Sequence, residues 1–139
     1  CTGGLASSLV TDVPGSSEYL LGSAVTYSNM AKHKLINVSE ESLEAYGAVS
    51  WQVACEMAQG VRELFGTTYG VGITGIAGPG GATEDKPVGL VYIADADGVK
   101  WAKHVFGGTR TDNKMRSALT AISMVIDRIK EKETENKDK

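Results

Sequence analysis

Apolar residues return along this chain in two rhythms. From Ser50 to about Phe65, Ala54, Met57, Val61 and Leu64 recur every three or four positions, the spacing of one helix face. Ser50 reads as the cap of that helix and Gly66 as its stop. The same rhythm returns in Met115, Leu119, Ile122, Ile126 and Ile129, predicting a long helix that starts at Thr111 or Asp112. Shorter helices are predicted for residues 5–10, where Leu5, Leu9 and Val10 share a face, and after the Ser28-Asn29 cap through Leu35. Another runs from Ser39 to Tyr46, with acids in its first turn suiting the positive helix end and Gly47 stopping it. Between these lie β-rich runs: Tyr19 to Tyr27, Tyr69 to Thr74, Val88 to Ala94 and Val99 to Phe106. The last two flank Asp95-Ala-Asp-Gly98, and Asp-Gly between strands signals a hairpin. Strands alternating with helices predict an α/β sandwich, and the hairpin makes its mostly parallel sheet a mixed one.

The 139 residues suit one domain, expected over residues 1–129, with the charged tail 130–139 fraying into solvent. With 42% hydrophobic and 22% charged residues, the composition is that of a globular protein. A net charge of −3 speaks against a nucleic-acid partner, which favours a basic excess. No apolar run approaches the roughly 18–20 residues of a membrane span, and no signal peptide is visible, so neither a membrane partner nor export is expected and the reading is cytoplasmic. Cys1 and Cys55 are the only cysteines and His33 and His104 the only histidines, too few and too scattered for a disulfide framework or a metal site. Cys-Thr-Gly-Gly-Leu reads as the middle of a loop rather than as a natural start, so a further N-terminal piece is expected.

Two glycine-rich stretches stand out. Thr74-Gly-Ile-Ala-Gly-Pro-Gly-Gly81 follows a predicted strand and lets the backbone either turn sharply or approach a ligand. Gly75 and Gly78 are its candidate binding positions, and its spacing matches neither the P-loop nor the dinucleotide fingerprint. Thr2-Gly3-Gly4 is either a flexible start or a second cradle. In α/β sheets, ligands gather at loops beyond strand ends, where both stretches fall. Ser16-Ser17, after Pro14-Gly15, is either turn chemistry or a nucleophile. A serine nucleophile needs a base, and neither histidine sits in a triad pattern, which leaves a lysine kept neutral by burial. Lys32 is that candidate, against the plainer reading of a solvated helical lysine. Tyr27 either packs or orients the pair. Thr74 is either a site hydroxyl or a cap, and Arg110 either a surface residue or a bidentate phosphate ligand. His33 and His104 read as structural or exposed, and Glu84, Asp85, Asp95 and Asp97 as solvated loop acids.

Six ordered blocks carry a resemblance: Cys1-Thr-Gly-Gly4, Thr11-Asp-Val-Pro-Gly-Ser-Ser17, Thr26-Tyr-Ser-Asn29 with Lys32, Gly47-Ala-Val-Ser50, the glycine loop from Thr74 to Gly81, and Lys86-Pro-Val-Gly89. Together they resemble the CinA C-terminal domain family, the nicotinamide-nucleotide amidases, from Cys1 to about Ile129. The resemblance implies a three-layer α/β/α sandwich, assembly as a homo-oligomer, and hydrolysis of nicotinamide mononucleotide to nicotinate mononucleotide and ammonia with no metal or organic cofactor. It implies Ser17 as nucleophile and Lys32 as base, Tyr27 and Thr74 as supporting groups, and Arg110 as the partner of the substrate phosphate. Members continue upstream of the position of Cys1 with a strand, a helix and a Glu-Ser pair, and many carry this domain as the C-terminal half of a longer protein. Gly22-Ser23 and Ile36-Asn37-Val38 depart from the usual spelling without touching a site position. Two other classes stay open: a module that binds a nucleotide without hydrolysing it, and an interaction domain that binds no small molecule.

Overall fold

Three serines open three helices. Ser28, Ser39 and Ser50 sit in extended backbone and accept, through Oγ, the amide protons of Ala31, Ser42 and Val53, so each satisfies a donor that the first turn would otherwise leave orphaned. A computed structural model of the chain, describing residues 1–95 and 100–137, contains helices α1 (Leu5–Thr11), α2 (Asn29–Ile36), α3 (Glu40–Tyr46), α4 (Trp51–Phe65) and α5 (Arg110–Lys137). Its strands are β1 (Val71–Gly75), β2 (Leu90–Asp95) and β3 (Trp101–Val105), and a 3-10 turn spans Ser16–Glu18.

β2 is the middle strand, and its alternation sends side chains into two cores. Ala94, with Tyr92, packs on Ala54 and Ala58 of α4. Val91 and Ile93 point the other way, onto Ala121 and Met124 of α5. The sheet therefore lies between α4 and α5, giving the three layers expected. A third cluster joins Val53 and Met57 of α4 to Ile36 and Val38 at the end of α2. α4 lies close enough to β1 that a Cβ on Gly72 would fall 2.4 Å from Ala54 O, and close enough to α2 that one on Gly60 would fall 1.8 Å from Ile36 O. Trp51 and Trp101, the first residues of α4 and β3, stack with ring centroids 5.3 Å apart.

Three sequence expectations meet a different outcome. All strand pairing among the described residues is antiparallel, in the order β1-β2-β3, instead of mostly parallel. β1 and β2 are joined by the helix-free loop 76–89, closed by Ile76 N to Leu90 O at 2.9 Å and Gly89 N to Ile76 O at 2.8 Å, so the chain re-enters the sheet at the end it left, whereas a parallel neighbour needs a crossover that carries it back to the opposite end. Residues 19–27 form no strand. Tyr19, Leu21, Val25 and Tyr27 are exposed while Thr26 is buried, so the alternation reflects an extended segment rather than a paired one. That segment packs on helices, with Gly22 against Phe65 and Ala24 against the α2–α4 cluster. α5 continues past residue 129 as helix to Lys137 because its charges find partners. Lys100 meets Glu131 at 2.6 Å and Lys132 lies 5.8 Å from the Tyr69 ring centre. The turn expected at residues 95–98 falls largely on 96–99, outside the described residues, but its flanks are hairpin-paired, with Asp95 N donating to Lys100 O at 3.0 Å. Among the described residues no helix is long and apolar enough to cross a membrane.

The contact at Gly60 generates a stability prediction. A methyl group there meets a backbone carbonyl that cannot rotate away, so Gly60→Ala is expected to lower stability by roughly 1–3 kcal/mol or more. The midpoint of urea unfolding measures this, and an unshifted midpoint contradicts the close approach.

Candidate active site

The connections after β1 and β3 open at one end of the sheet, and the start of the chain reaches the same region. Gly3 and Gly4 take left-handed backbone, φ +64° and +88°, which turns the chain into α1 at small steric cost. Gly4 O then accepts from Ser8 N at 3.0 Å and from Ser7 Oγ at 2.9 Å. The extended segment runs alongside, so that a Cβ on Gly4 would sit 3.2 Å from Val25 Cγ2. Between these two stretches lies a cleft of about 50 Å³ lined by Thr2, Gly3, Gly4, Thr26, Tyr27 and Lys32, among others. It has room for a small functional group rather than for a whole nucleotide.

Lys32 is the cleft's buried cation. It is 7% exposed, and its Nζ donates to Thr26 O at 2.8 Å. α2 delivers it there because the Ser28 cap fixes the helix start and Ile36 anchors the far end in the core. Burial pushes its ammonium below the ordinary 10.5, since loss of water penalises the charged form. Tyr27, next to Thr26, is 75% exposed and receives the Arg110 Nη2 contact at 3.5 Å. Arg110 opens α5, and its Nη1 donates to Gly78 O at 2.6 Å.

Two further groups escaped the sequence reading. Lys114 Nζ lies 3.9 Å from where a Cβ on Gly3 would stand. Arg110 reaches Tyr27 of the cleft wall and Lys114 lies beside Gly3, so both cations stand close to the cleft that holds Lys32. Asn113, fully buried, bonds both Ala77 O and Gly108. A lysine and an asparagine in a helix's early turns read as solvated surface, and no spacing rule marks them. A glycine-bordered cleft with a buried amine and two nearby cations suits an anionic ligand, and an amine that gives up its proton easily suits a base.

The remaining candidates divide. Thr2, 8% exposed, borders the cleft with Gly3 and Gly4, while Gly78 joins the site through its carbonyl and Arg110. Ser17 is not among the residues lining the cleft that holds Lys32. It is exposed on the 3-10 turn, and Ser16 is the buried member of the pair at 7%. Thr74, 3% exposed, spends its hydroxyl on Ala48 O at 2.7 Å, tying the end of β1 to the loop before α4. Gly75 serves the sheet, since a Cβ there would lie 2.7 Å from Leu90 O. His33 bonds Val38 O through Nδ1 at 2.8 Å and His104 stacks on Phe106, both away from the cleft. Among the described residues no group of three or more His, Cys, Asp or Glu side chains is arranged to hold a metal.

Comparison with known proteins places this geometry. The family model of the CinA C-terminal domain matches residues 1–129. A CinA-like protein of Syntrophomonas wolfei is 51% identical over 127 residues, which cover 90% of this chain and 30% of that protein. The chain thus spans about a third of the length of the curated relatives it matches. Among solved structures, the competence/damage inducible protein CihA of Agrobacterium tumefaciens superposes with a TM-score of 0.85 at 40% identity, covering 91% of this chain and 79% of the other. A competence-damaged protein (CinA) superfamily member from Escherichia coli gives 0.86 at 32% identity, covering 91% and 74%. With its helix–sheet–helix layering and its match from Cys1 to Ile129, the chain belongs to the CinA C-terminal domain family.

Proposed function

We propose that this chain is an amidase domain that hydrolyses the carboxamide of nicotinamide mononucleotide, releasing ammonia and nicotinate mononucleotide. The observation that carries the reading is Lys32: a buried amine at a glycine-bordered cleft, with Arg110 and Lys114 nearby to attract a phosphate. In the proposed reaction, neutral Lys32 takes the proton of Ser17 Oγ as that oxygen bonds to the amide carbon. The tetrahedral adduct collapses, the C–N bond breaks, and Lys32 returns the proton to the departing ammonia. Water, deprotonated by Lys32, then attacks the acyl-enzyme and restores Ser17. Amides of the Thr2–Gly4 loop supply the oxyanion contacts. Thr74 acts at a distance by holding the Gly47–Ser50 loop. The small nucleotide is the partner, no cofactor is required, and the domain works in the cytoplasm as part of a homo-oligomer.

The reading requires Ser17 to move from solvent to the cleft when substrate binds. Gly15, at φ +86°, is the glycine through which the proposed movement of the Ser16–Glu18 turn would run. The exposed Ser17 also favours a second reading, nucleotide binding without hydrolysis. One pair of measurements separates them. Under the amidase reading, nicotinamide mononucleotide raises the melting temperature and ammonia is released, and Lys32→Met lowers release by roughly 10²–10⁴-fold while the thermal shift persists. A thermal shift with no ammonia release from the unmodified chain supports binding alone, and near-normal release from Lys32→Met excludes Lys32 as base.

The buried amine also carries a pH signature. Between its lowered folded-state value and the ordinary 10.5, the folded chain binds fewer protons at Lys32 than the unfolded chain, so its contribution to stability rises with pH across that window. Urea unfolding from neutral pH upward is expected to show the stability of the unmodified chain gaining on that of Lys32→Met until about pH 10.5. A constant difference contradicts a desolvated Lys32.

A further inference from the structure

Asn113 hangs two loops on one side chain. It is 0% exposed. Its Nδ2 donates to Ala77 O at 2.9 Å and to Gly108 O at 3.2 Å, and its Oδ1 accepts from Gly108 N at 3.2 Å. Ala77 belongs to the glycine loop after β1, and Gly108 to the turn between β3 and α5. An amide shut away from water is held to the partners it has, because breaking one leaves a buried donor or acceptor unmatched. The turn bearing Asn113 is itself fixed: Thr109 N donates to Asp112 Oδ2 and Asp112 N to Thr109 Oγ1, both at 3.2 Å, while Ser117 Oγ donates to Asn113 O at 2.6 Å.

Arg110 lies less than one turn before Asn113, and its Nη1 meets the carbonyl of Gly78, the residue after Ala77. Asn113 and Arg110 therefore grip adjacent peptide units of one loop. With Ala77 held, Gly78 O is a stationary acceptor, and a stationary acceptor on Nη1 fixes the plane of the whole guanidinium. Nη2 of the fork then lies 3.5 Å from the Tyr27 hydroxyl. Freed from that acceptor, the same side chain keeps its charge but loses its aim, and bidentate recognition of a tetrahedral anion depends on aim.

We propose that Asn113 is a positioning residue that sets the affinity for the anionic end of the substrate by fixing the Ala77–Gly78 loop against which Arg110 is oriented. It touches no substrate itself. The assignment rests on reading this site as one that takes a phosphate-bearing nucleotide.

The test has two readouts. In the unliganded, unmodified chain, nitrogen NMR of Arg110 is expected to resolve separate Nη signals from a guanidinium held against rotation, and a freely rotating Arg110 overturns the proposal before any variant is made. Asn113→Asp keeps the acceptor for Gly108 N and removes both donors, and Asn113→Leu removes donors and acceptor alike without adding charge. In whichever of them folds, the Arg110 signals are expected to merge. The KM for nicotinamide mononucleotide is expected to rise about tenfold with kcat nearly unchanged, and the corresponding nucleoside, lacking the phosphate, to be processed as before. In an Arg110→Ala background the Asn113 substitution is expected to add nothing to KM. Equal losses on nucleotide and nucleoside, or additive effects with Arg110→Ala, overturn the positioning role. If Arg110 responds to Asn113 but the unmodified chain neither binds nor processes the nucleotide, the substrate reading fails while the mechanical link stands.

Discussion

Everything in this domain is arranged around a middle strand buried on both faces. β2 gives Ala94 to α4 and Val91 with Ile93 to α5, and burying those side chains supplies the main driving force for holding the layers together. With β1 and β3 antiparallel to it, the end of β1, the start of β2, the end of β3 and the start of α5 come to one edge of the sheet. The carbonyls of Ala77 and Gly78 and the side chains of Arg110 and Asn113 meet there because of that strand order. The core sets which loops are neighbours, and the polar contacts act at that edge.

The edge combines two demands that pull in different directions. Burial disfavours the charged state of Lys32, while Arg110 and Lys114 beside the cleft favour an anion close by. A protonated Lys32 with one carbonyl partner is poorly solvated, and an arriving negative group would relieve that. The occupant that the charges attract would thus raise the proton affinity of the residue proposed as base, so the anionic end and the reacting end of a substrate must sit apart. A nucleotide, with its phosphate separated from its base by a sugar, has that form.

Features fixed within a few residues were legible in the sequence. Ser28, Ser39 and Ser50 cap their helices as read, because an N-cap depends on one side chain and an amide three positions away. The pairing of β2 with β3 was legible for the same reason, whereas the face of α4 was read only in part: Ala54 and Met57 are buried as expected, but Val53 and Ala58 join them and Leu64 is exposed. Residues 19–27 show where local reading stops: alternation reveals an extended backbone, yet it cannot say whether the partner is a strand or, as here, the side chains of α4. Parallel pairing was inferred from alternating element types, while the connection 76–89 without a helix decides the direction. Of the candidate site, Lys32, Tyr27, Arg110 and the first glycine loop come together, whereas Ser17 stays in solvent and Thr74 turns to Ala48. Asn113 was invisible because its partners include Ala77, distant in the chain. The helical end of α5 was missed because its charges are matched by Lys100 and Tyr69.

α5 is fastened differently at its two ends. Near its start, Asn113 and Ser117 are sealed from water, while towards its far end Lys100 and Arg128 meet Glu131 in partly exposed ion pairs. Dissolved ions screen the second kind of contact strongly and the first hardly at all. Ionic strength therefore acts as a selective lever on this molecule: concentrated electrolyte slackens the helix where it leaves the body of the protein, and spares the turn that carries Arg110.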